Sequence, residues 1–241
     1  FALPLDYSRL ETERLRLEPI EHDLPLFASE QAQVIAQQPA LLQYVSSPSD
    51  DDTVDMLQYW KDRMSSPREQ AFAILLKAGT VVKKDAITGE KHEFHVDQDT
   101  FAGLTGLIEA KPEWASVEVA HLFILPRFQR TFVATTANAL LLKHLLDPVP
   151  EDLGLRRVKW EAHSQNAPSI ALAKRLGFQQ EGIIRWERTI RPGRAGEVVA
   201  GMPTEDRAGN TVGPGRHTLV FGLCWDDWRD GGRAKILSLI Q

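Results

Sequence analysis

The pattern of apolar and polar positions predicts one strand followed by helices in the first quarter of the chain. Leu15 to Pro19 alternates polar and apolar residues, as a strand with one buried face does. Residues 21–64 have helical periodicity that is interrupted near Pro39 and at 46–52. The acidic run Asp50 to Asp52 favours a helix N-terminus directly after it, where negative charge is stabilised by the helix dipole.

The middle of the chain is predicted to form neighbouring strands. Short apolar or alternating runs indicate strands at Ala71–Lys77, Phe101–Ala110 and Ser116–Leu125. Residues 78–100 between the first two are polar and contain the turn signal Thr88-Gly89, which predicts a hairpin extension or a loop.

The last third alternates helices and strands. A helix is predicted from about 130 to 146, ending at Asp147-Pro148, and a second over Asn166–Leu176, ending at Gly177 with Phe178 packing back. Residues 191–215 contain six glycines and three prolines and are predicted to be a long loop. The remaining strands are predicted at Arg156–Ala162, Phe178–Ile190 and Thr218–Trp225. This order predicts a mixed α/β sheet flanked by helices.

Composition limits the classes of function. The chain has 241 residues and a net charge of −5, which argues against a nucleic-acid partner, because phosphate contacts need clustered Lys and Arg. Its single cysteine excludes an internal disulfide, and neither a signal peptide nor an apolar run of the ~20 residues of a membrane span is visible. We therefore expect a cytoplasmic protein without a membrane partner. The histidines are scattered, and the close pair His92 and His95 falls in the predicted hairpin, so no metal site is expected.

A segment between the strand Ser116–Leu125 and the following helix has the character of an anion site. It holds Arg127, Gln129 and Arg130 directly before the helix. The first turn of a helix offers unpaired N–H groups and the positive end of the helix dipole. A ligand that carries phosphates is therefore a candidate for this turn.

A second segment gives the chain its resemblance to a known family. Residues 156–169 end in Asn166-Ala167-Pro168-Ser169, and Leu176-Gly177-Phe178 and Glu181-Gly182 follow. This strand, Asn-x-x-Ser and LGF…EG pattern resembles the GNAT superfamily of N-acetyltransferases, and within it the RimJ/RimL-type branch. The likeness extends from Glu11 to Trp228 and is dense over 116–182.

The resemblance implies an α/β GNAT fold: a mixed, mostly antiparallel sheet in which two parallel strands splay apart, flanked by helices. It implies one domain over 1–241, with polar insertions at about 78–100 and 191–215 that border the acceptor side. Acetyl-CoA would be the cosubstrate, and a homodimer is compatible with the family. The family motif Q/R-x-x-G-x-G/A is matched by 129–134 with Phe132 at the first Gly. The donor contacts implied are Phe123, Ile124, Leu125, Gln129, Arg130, Thr131, Phe132, Val133, Ala134, Thr135, Asn166 and Ser169.

The resemblance also implies catalytic roles. Asn166 would bond the pantetheine arm, and Ser169 would protonate the departing thiolate, although both residue types also suit a helix N-terminus. Glu118 alternates with apolar neighbours and is the first choice for the base that deprotonates the amine. His121, Glu187 and His163 are its rivals.

The expected activity is direct acetyl transfer from acetyl-CoA to a primary amine, either a protein N-terminus or a small molecule. Two alternatives stay open. Phe132 in the phosphate loop is compatible with an acyl-CoA-binding module that does not catalyse transfer, and the donor could be a longer acyl-CoA.

Overall fold

The computed structural model describes residues 1–44 and 55–240. In these ranges the strands are β1 (Leu15–Pro19), β2 (Gln70–Leu76), β3 (Gly79–Lys84), β4 (Lys91–Val96), β5 (Thr100–Lys111), β6 (Ser116–Ile124), β7 (Arg157–His163), β8 (Gln179–Thr189) and β9 (Gly215–Cys224). The helices are α1 (Leu24–Gln37), α2 (Met56–Met64), α3 (Val133–Leu146), α4 (Ala167–Leu176), the single turn α5 (Trp225–Asp227) and α6 (Arg233–Leu239). The acidic run at 50–52 lies outside the described residues.

Seven strands form one sheet in the order β1-β2-β5-β6-β7-β9-β8. Strands β6 and β7 pair in parallel, and the other neighbouring pairs of this sheet are antiparallel. Strands β3 and β4 form a separate antiparallel hairpin. The mixed α/β sheet flanked by helices is confirmed, and so is the hairpin within 78–100.

Helix α3 forms the centre of the core. It is buried around almost its whole circumference, as expected for a helix covered on all sides. It contacts β1, β2, β5, β6 and β7 as well as α4 and α6. Its buried polar residue Asn138 accepts a hydrogen bond from the Thr105 hydroxyl (2.8 Å) and donates one to the Ala134 carbonyl (2.7 Å), so that its burial is compensated.

The sheet opens where β6 and β7 part. Their paired residues run from Ser116–Arg157 to Val119–Trp160, although the strands continue to Ile124 and His163. At the same point β6 bulges against β5: the pairing passes from Ala120–Gly106 to Phe123–Leu104, and His121 has a φ of +56°. A bulge bends its strand and increases the local twist. The two strands therefore diverge beyond Val119 and Trp160, and we call this point the vertex.

Gly103 on β5 allows β6 to approach at the bulge, and its replacement by Ala is expected to destabilise the fold. Its φ is +149°, and an added Cβ would lie 2.3 Å from the Phe123 carbonyl oxygen. We expect Gly103→Ala to lower the free energy of unfolding by about 2–4 kcal/mol, measured by urea denaturation. The control is Gly182→Ala on β8, where a Cβ meets nothing within 4 Å. Equal unfolding midpoints for both variants would contradict this account.

The predicted ends of some helices and strands were wrong. The helix predicted from about 130 begins at Val133, because Arg130 has a φ of +61°, which a right-handed helix does not allow. Strand β9 begins at Gly215 rather than Thr218. The predicted helix end is confirmed: Gly177 has a φ of +100°, and the Phe178 N–H donates to the Ala173 carbonyl (3.1 Å). In the described ranges, no helix has the length and apolar character needed to cross a membrane.

Candidate active site

A cleft of about 570 Å³ opens at the vertex. Its walls come from the diverging ends of β6 and β7, the start of α4, helix α2, and the facing ends of β8 and β9. Glu118, Asn166 and Ser169, predicted from separate segments, all line it. A larger cavity of about 850 Å³ lies at the C-terminal end of α3 and touches none of these residues. The three predicted catalytic residues therefore share the smaller cleft.

Glu118 lies at the vertex and is 6% exposed. It faces Lys159 across the parallel strand pair, with 2.7 Å between its Oε2 and the Lys159 Nζ. The same ammonium group is 3.0 Å from Glu161 and 3.5 Å from Glu109. Burial raises the pKa of Glu118 to about 7, against the opposing effect of Lys159. A carboxylate with such a pKa can accept a proton from an amine near neutral pH.

Asn166 and Ser169 lie where β7 leads into α4. The Asn166 Oδ1 accepts a hydrogen bond from the Ser169 N–H (3.2 Å), so Asn166 caps the helix as its residue type suggests. The Ser169 Oγ accepts a hydrogen bond from the indole N–H of Trp160 (3.0 Å). The capping role is thus observed, and both side chains also border the cleft.

Two of the three rival bases also line the cleft. His121 packs edge-on against Trp60, its Nε2 is 3.5 Å from Glu69, and burial lowers its pKa although Glu69 opposes this. The His163 Nδ1 accepts from the Gln165 N–H (3.0 Å), and burial, with the charge of Arg216, lowers the pKa of His163. Glu187 lies outside the cleft lining and accepts hydrogen bonds from Thr218 and Arg188.

The turn before α3 presents the backbone groups expected of an anion site. The N–H groups from Arg130 to Thr135, apart from that of Val133, donate no hydrogen bond within the described part of the chain. The Val133 N–H donates to the Thr131 Oγ (3.2 Å). The side chain of Gln129 is turned away from this turn and donates to the Ile124 carbonyl (3.0 Å).

Phe132 does not block this turn. Its backbone is helical, with a φ of −70° and a ψ of −20°, and its side chain packs against the core. The guanidinium carbon of Arg14 lies over its ring, 3.4 Å from the centroid, and burial lowers the pKa of Arg14. The absence of the expected glycine therefore leaves the N–H groups accessible.

The β3–β4 hairpin, which belongs to the insertion 78–100, lies against the turn before α3, and that this insertion borders the acceptor side stays a prediction. The Lys84 N–H donates to the Arg130 carbonyl (3.1 Å), and the Lys83 Nζ donates to the Pro126 carbonyl (2.7 Å). Arg127 donates to the His95 carbonyl (3.2 Å) and stacks on Phe94 (4.9 Å). Arg127 therefore contacts the hairpin through a cation–π interaction and a hydrogen bond to a backbone carbonyl, and its guanidinium group does not lie beside the helix N-terminus.

The loop 191–215 lies on the other side, near the start of α4. The Gln165 side chain donates to Glu197 (3.1 Å), and Arg194 donates to the Pro39 carbonyl (3.3 Å). This loop therefore joins the segment after β7 to the region between α1 and α2.

Beyond the bulge, the backbone N–H and C=O groups of β6 point alternately toward β5 and toward the gap between β6 and β7. The Leu125 N–H donates to the Ala102 carbonyl (3.0 Å), which assigns Leu125 and Phe123 to the ladder with β5. Alternation along the strand then turns the N–H and C=O of Ile124 toward the gap, where the C=O already accepts the hydrogen bond from the Gln129 side chain. Of the three predicted pantetheine contacts, Ile124 is thus the one whose backbone faces the opening.

Comparison with known proteins agrees with this geometry. Residues 14–179 match the family described as the acetyltransferase (GNAT) domain. The chain belongs to this family. No curated protein is significantly similar to it.

Solved structures share the GNAT fold at low identity. A probable GNAT-family acetyltransferase from Chromobacterium violaceum ATCC 12472 is 21% identical, with a TM-score of 0.67 over 95% of this chain and 91% of that one. RimJ of Mycobacterium smegmatis, in complex with CoA-disulfide, is 15% identical (TM-score 0.58; 93% and 87% covered). Spermidine N-acetyltransferase of Vibrio cholerae, in complex with CoA and spermine, is also 15% identical (TM-score 0.58; 90% and 99%).

The sequence missed several residues of this GNAT cleft. Lys159, which pairs with Glu118 at the cleft, was not singled out, and neither was Glu161, which lines it. Period-two alternation places Lys159 and Glu161 on one face of β7, which is a signal that could have found them. Tyr44, whose ring lies 5.4 Å from that of His163, had no such signal, because it is distant in sequence.

One group of potential metal ligands occurs among the described residues. Cys224, Asp226 and Asp227 bring ligand atoms within 4.8 Å of one another. The Cys224 Sγ accepts from Arg157 (3.5 Å), and Asp227 accepts from the Cys224 N–H (2.9 Å) and from Gln179. Protein donors thus already engage two of the three, and the absence of a metal stays a prediction.

Proposed function

We propose that this protein is an N-acetyltransferase that moves an acetyl group from acetyl-CoA directly to a primary amine. The observation that carries the proposal is the meeting of Glu118, Asn166 and Ser169 in one cleft at the parting of β6 and β7. Family membership and the accessible N–H groups before α3 support acetyl-CoA as the donor. We further propose one domain over 1–241 and a place in the RimJ/RimL-like branch, which the fold shared with RimJ supports weakly.

The donor site is assigned to two backbone segments. The N–H groups at the start of α3 would hold the pyrophosphate, since a helix N-terminus favours anions. The backbone of Ile124 would pair with the pantetheine arm as an added strand partner in the gap, and Asn166 would border the same arm. When bound, acetyl-CoA supplies an activated acyl group whose leaving group is a thiol.

Proton transfers at the two ends of the reaction are assigned to Glu118 and Ser169. Glu118, as a carboxylate, takes a proton from the ammonium form of the acceptor, directly or through one water. The freed amine then forms the C–N bond while the C–S bond breaks, and the nitrogen releases its second proton to water in the cleft. Ser169 gives its hydroxyl proton to the departing thiolate. No residue of the chain forms a covalent bond to the acyl group.

Thermal unfolding with excess acetyl-CoA is the first test of the donor site. A ligand at about a hundredfold over its Kd adds ~2.7 kcal/mol to the stability. We therefore expect Tm to rise by roughly 5–10 °C with acetyl-CoA and with CoA, and less with ADP. No rise at millimolar acetyl-CoA would contradict the proposal at its first step.

A screen of amines then tests the reaction itself. Release of free thiol from acetyl-CoA is followed with peptides that carry free N-termini, with polyamines and with amino acids. Turnover with any of them supports acetyl transfer. Donor binding with no turnover on any amine favours a non-catalytic acyl-CoA module, and faster turnover with propionyl- or succinyl-CoA favours a longer acyl donor.

A further inference from the structure

Trp160 holds the hydroxyl group of Ser169 in a defined orientation. Its indole N–H donates to the Ser169 Oγ at 3.0 Å. The indole is 2% exposed, and its ring packs edge-on against Phe178, with 5.7 Å between the centroids. An indole N–H can donate and cannot accept. In this bond the serine oxygen is therefore the acceptor, and its own proton points elsewhere.

The hydroxyl proton of Ser169 can face the cleft. Among the described residues, the Ser169 hydroxyl donates to no protein atom, and Ser169 lines the cleft. Its main chain is also fixed, because its N–H is bound by the Asn166 side chain (3.2 Å). One oxygen lone pair is thus occupied by a rigid, buried donor, which leaves the O–H free to point into the cleft.

We infer that Trp160 is a positioning residue for proton delivery, whose indole N–H turns the Ser169 hydroxyl proton toward the sulfur that leaves. The inference rests on the proposed function. As the C–S bond breaks, the O–H proton passes to the thiolate sulfur, and water in the cleft returns a proton to the serine oxygen. The indole N–H stabilises the negative charge that develops on that oxygen, as a preorganised donor does.

A purely structural role for the same bond predicts something different. A buried indole N–H needs an acceptor, and Ser169 supplies one. If that were its whole purpose, removing it would lower stability or raise KM for the donor and leave kcat at saturating donor unchanged. A role in proton delivery makes the effect depend on the leaving thiol, because an acidic thiol departs without help from an acid.

The test compares two acetyl thioesters in Trp160→Phe, which removes the N–H and keeps an aromatic ring. With acetyl-CoA, an alkyl thioester, we expect kcat at saturating donor to fall about tenfold, and about 100-fold in Ser169→Ala. With the acetyl thioester of 4-nitrothiophenol, an acidic thiol, we expect both variants to stay within about twofold of the wild type. Trp228→Phe is the matched control, since it removes another buried indole hydrogen bond (to Asp147, 3.1 Å) outside the cleft.

Each result decides the matter. A loss in Trp160→Phe that is equal for both thioesters, or no loss with either, overturns the inference while leaving acetyl transfer intact. An absence of turnover by the wild type with every amine overturns the proposed function instead. If Trp160→Phe fails to fold, β-(3-benzothienyl)-alanine at position 160 keeps the bicyclic shape without the N–H. The same dependence on the leaving thiol is then expected.

Discussion

Glu118→Gln is expected to lower kcat/KM for acetyl transfer about 100-fold or more, the usual contribution of a positioned base. The wild-type rate is expected to rise with pH through the region near 7. Burial raises the pKa of Glu118 to about 7, and below that value the carboxyl group holds a proton and cannot accept another. The variant lacks this dependence and keeps only the rise that comes from deprotonation of the free amine. The measurement is kcat/KM against pH for one amine.

Glu187→Gln is the control, because Glu187 bonds Thr218 outside the cleft lining, and its rate is expected to stay near that of the wild type. If instead Glu118→Gln keeps the wild-type profile, Glu118 has no part in the mechanism. His121 and His163 then become the bases to test, since both line the cleft.

The same substitution is expected to change how stability depends on pH. An unfolded Glu titrates near ~4.3, whereas Glu118 in the folded protein titrates at about 7, so the folded state takes up a proton first. Its contribution to stability is complete below the lower value and is lost as the pH rises through the higher one. When the pH is raised from about 5 to about 8, the free energy of unfolding of the wild type is therefore expected to fall by about 2–3 kcal/mol more than that of Glu118→Gln, as measured by urea denaturation.

Thr131→Asp is expected to weaken CoA binding about 100-fold, with a modest loss of stability because Asp cannot replace the hydrogen bond that the Thr131 hydroxyl donates to the Phe128 carbonyl (2.7 Å). The Thr131 Oγ accepts from the Val133 N–H at the start of α3, and Asp can supply the same acceptor. A carboxylate there favours the helix dipole. It also repels the phosphates proposed to bind the turn, by about 3 kcal/mol for two unit charges ~5 Å apart at an effective dielectric constant of ~20.

Thr131→Asn is the control for the effect of charge. Asn caps helices as well as Asp does, but it carries no charge. Calorimetric titration with CoA is expected to give Thr131→Asn an affinity close to that of the wild type. Equal weakening in both variants would show that the hydroxyl group itself matters. Unchanged affinity for CoA in Thr131→Asp would show that the phosphates do not bind at this turn.

Local signals made much of the fold predictable. The helix from Asn166 to Gly177 was found at both ends because an N-cap side chain and a residue with positive φ are properties of short segments. The strands β5 and β6 were found because a run of mostly apolar residues is visible in any window of that length. The joining of Glu118 and Ser169 in one cleft came from the resemblance rather than from such a signal.

Non-local pairing accounts for what was missed. Lys159 meets Glu118 because β7 returns parallel to β6 after α3, and no window of sequence shows that register. The position of the hairpin against Arg130 likewise depends on contacts between residues more than forty positions apart. The positive φ of Arg130 could not be predicted from its residue type, because arginine rarely adopts one and the surrounding contacts impose it.

The hairpin contact has a consequence for how this enzyme could diverge. Because the Lys84 main chain holds the Arg130 carbonyl, the hairpin and the turn before α3 form one mechanical unit. If the turn before α3 holds the pyrophosphate as proposed, substitutions at exposed hairpin positions such as Ile87, which lies outside the cleft lining, would act on donor affinity through that unit and leave the cleft itself unchanged.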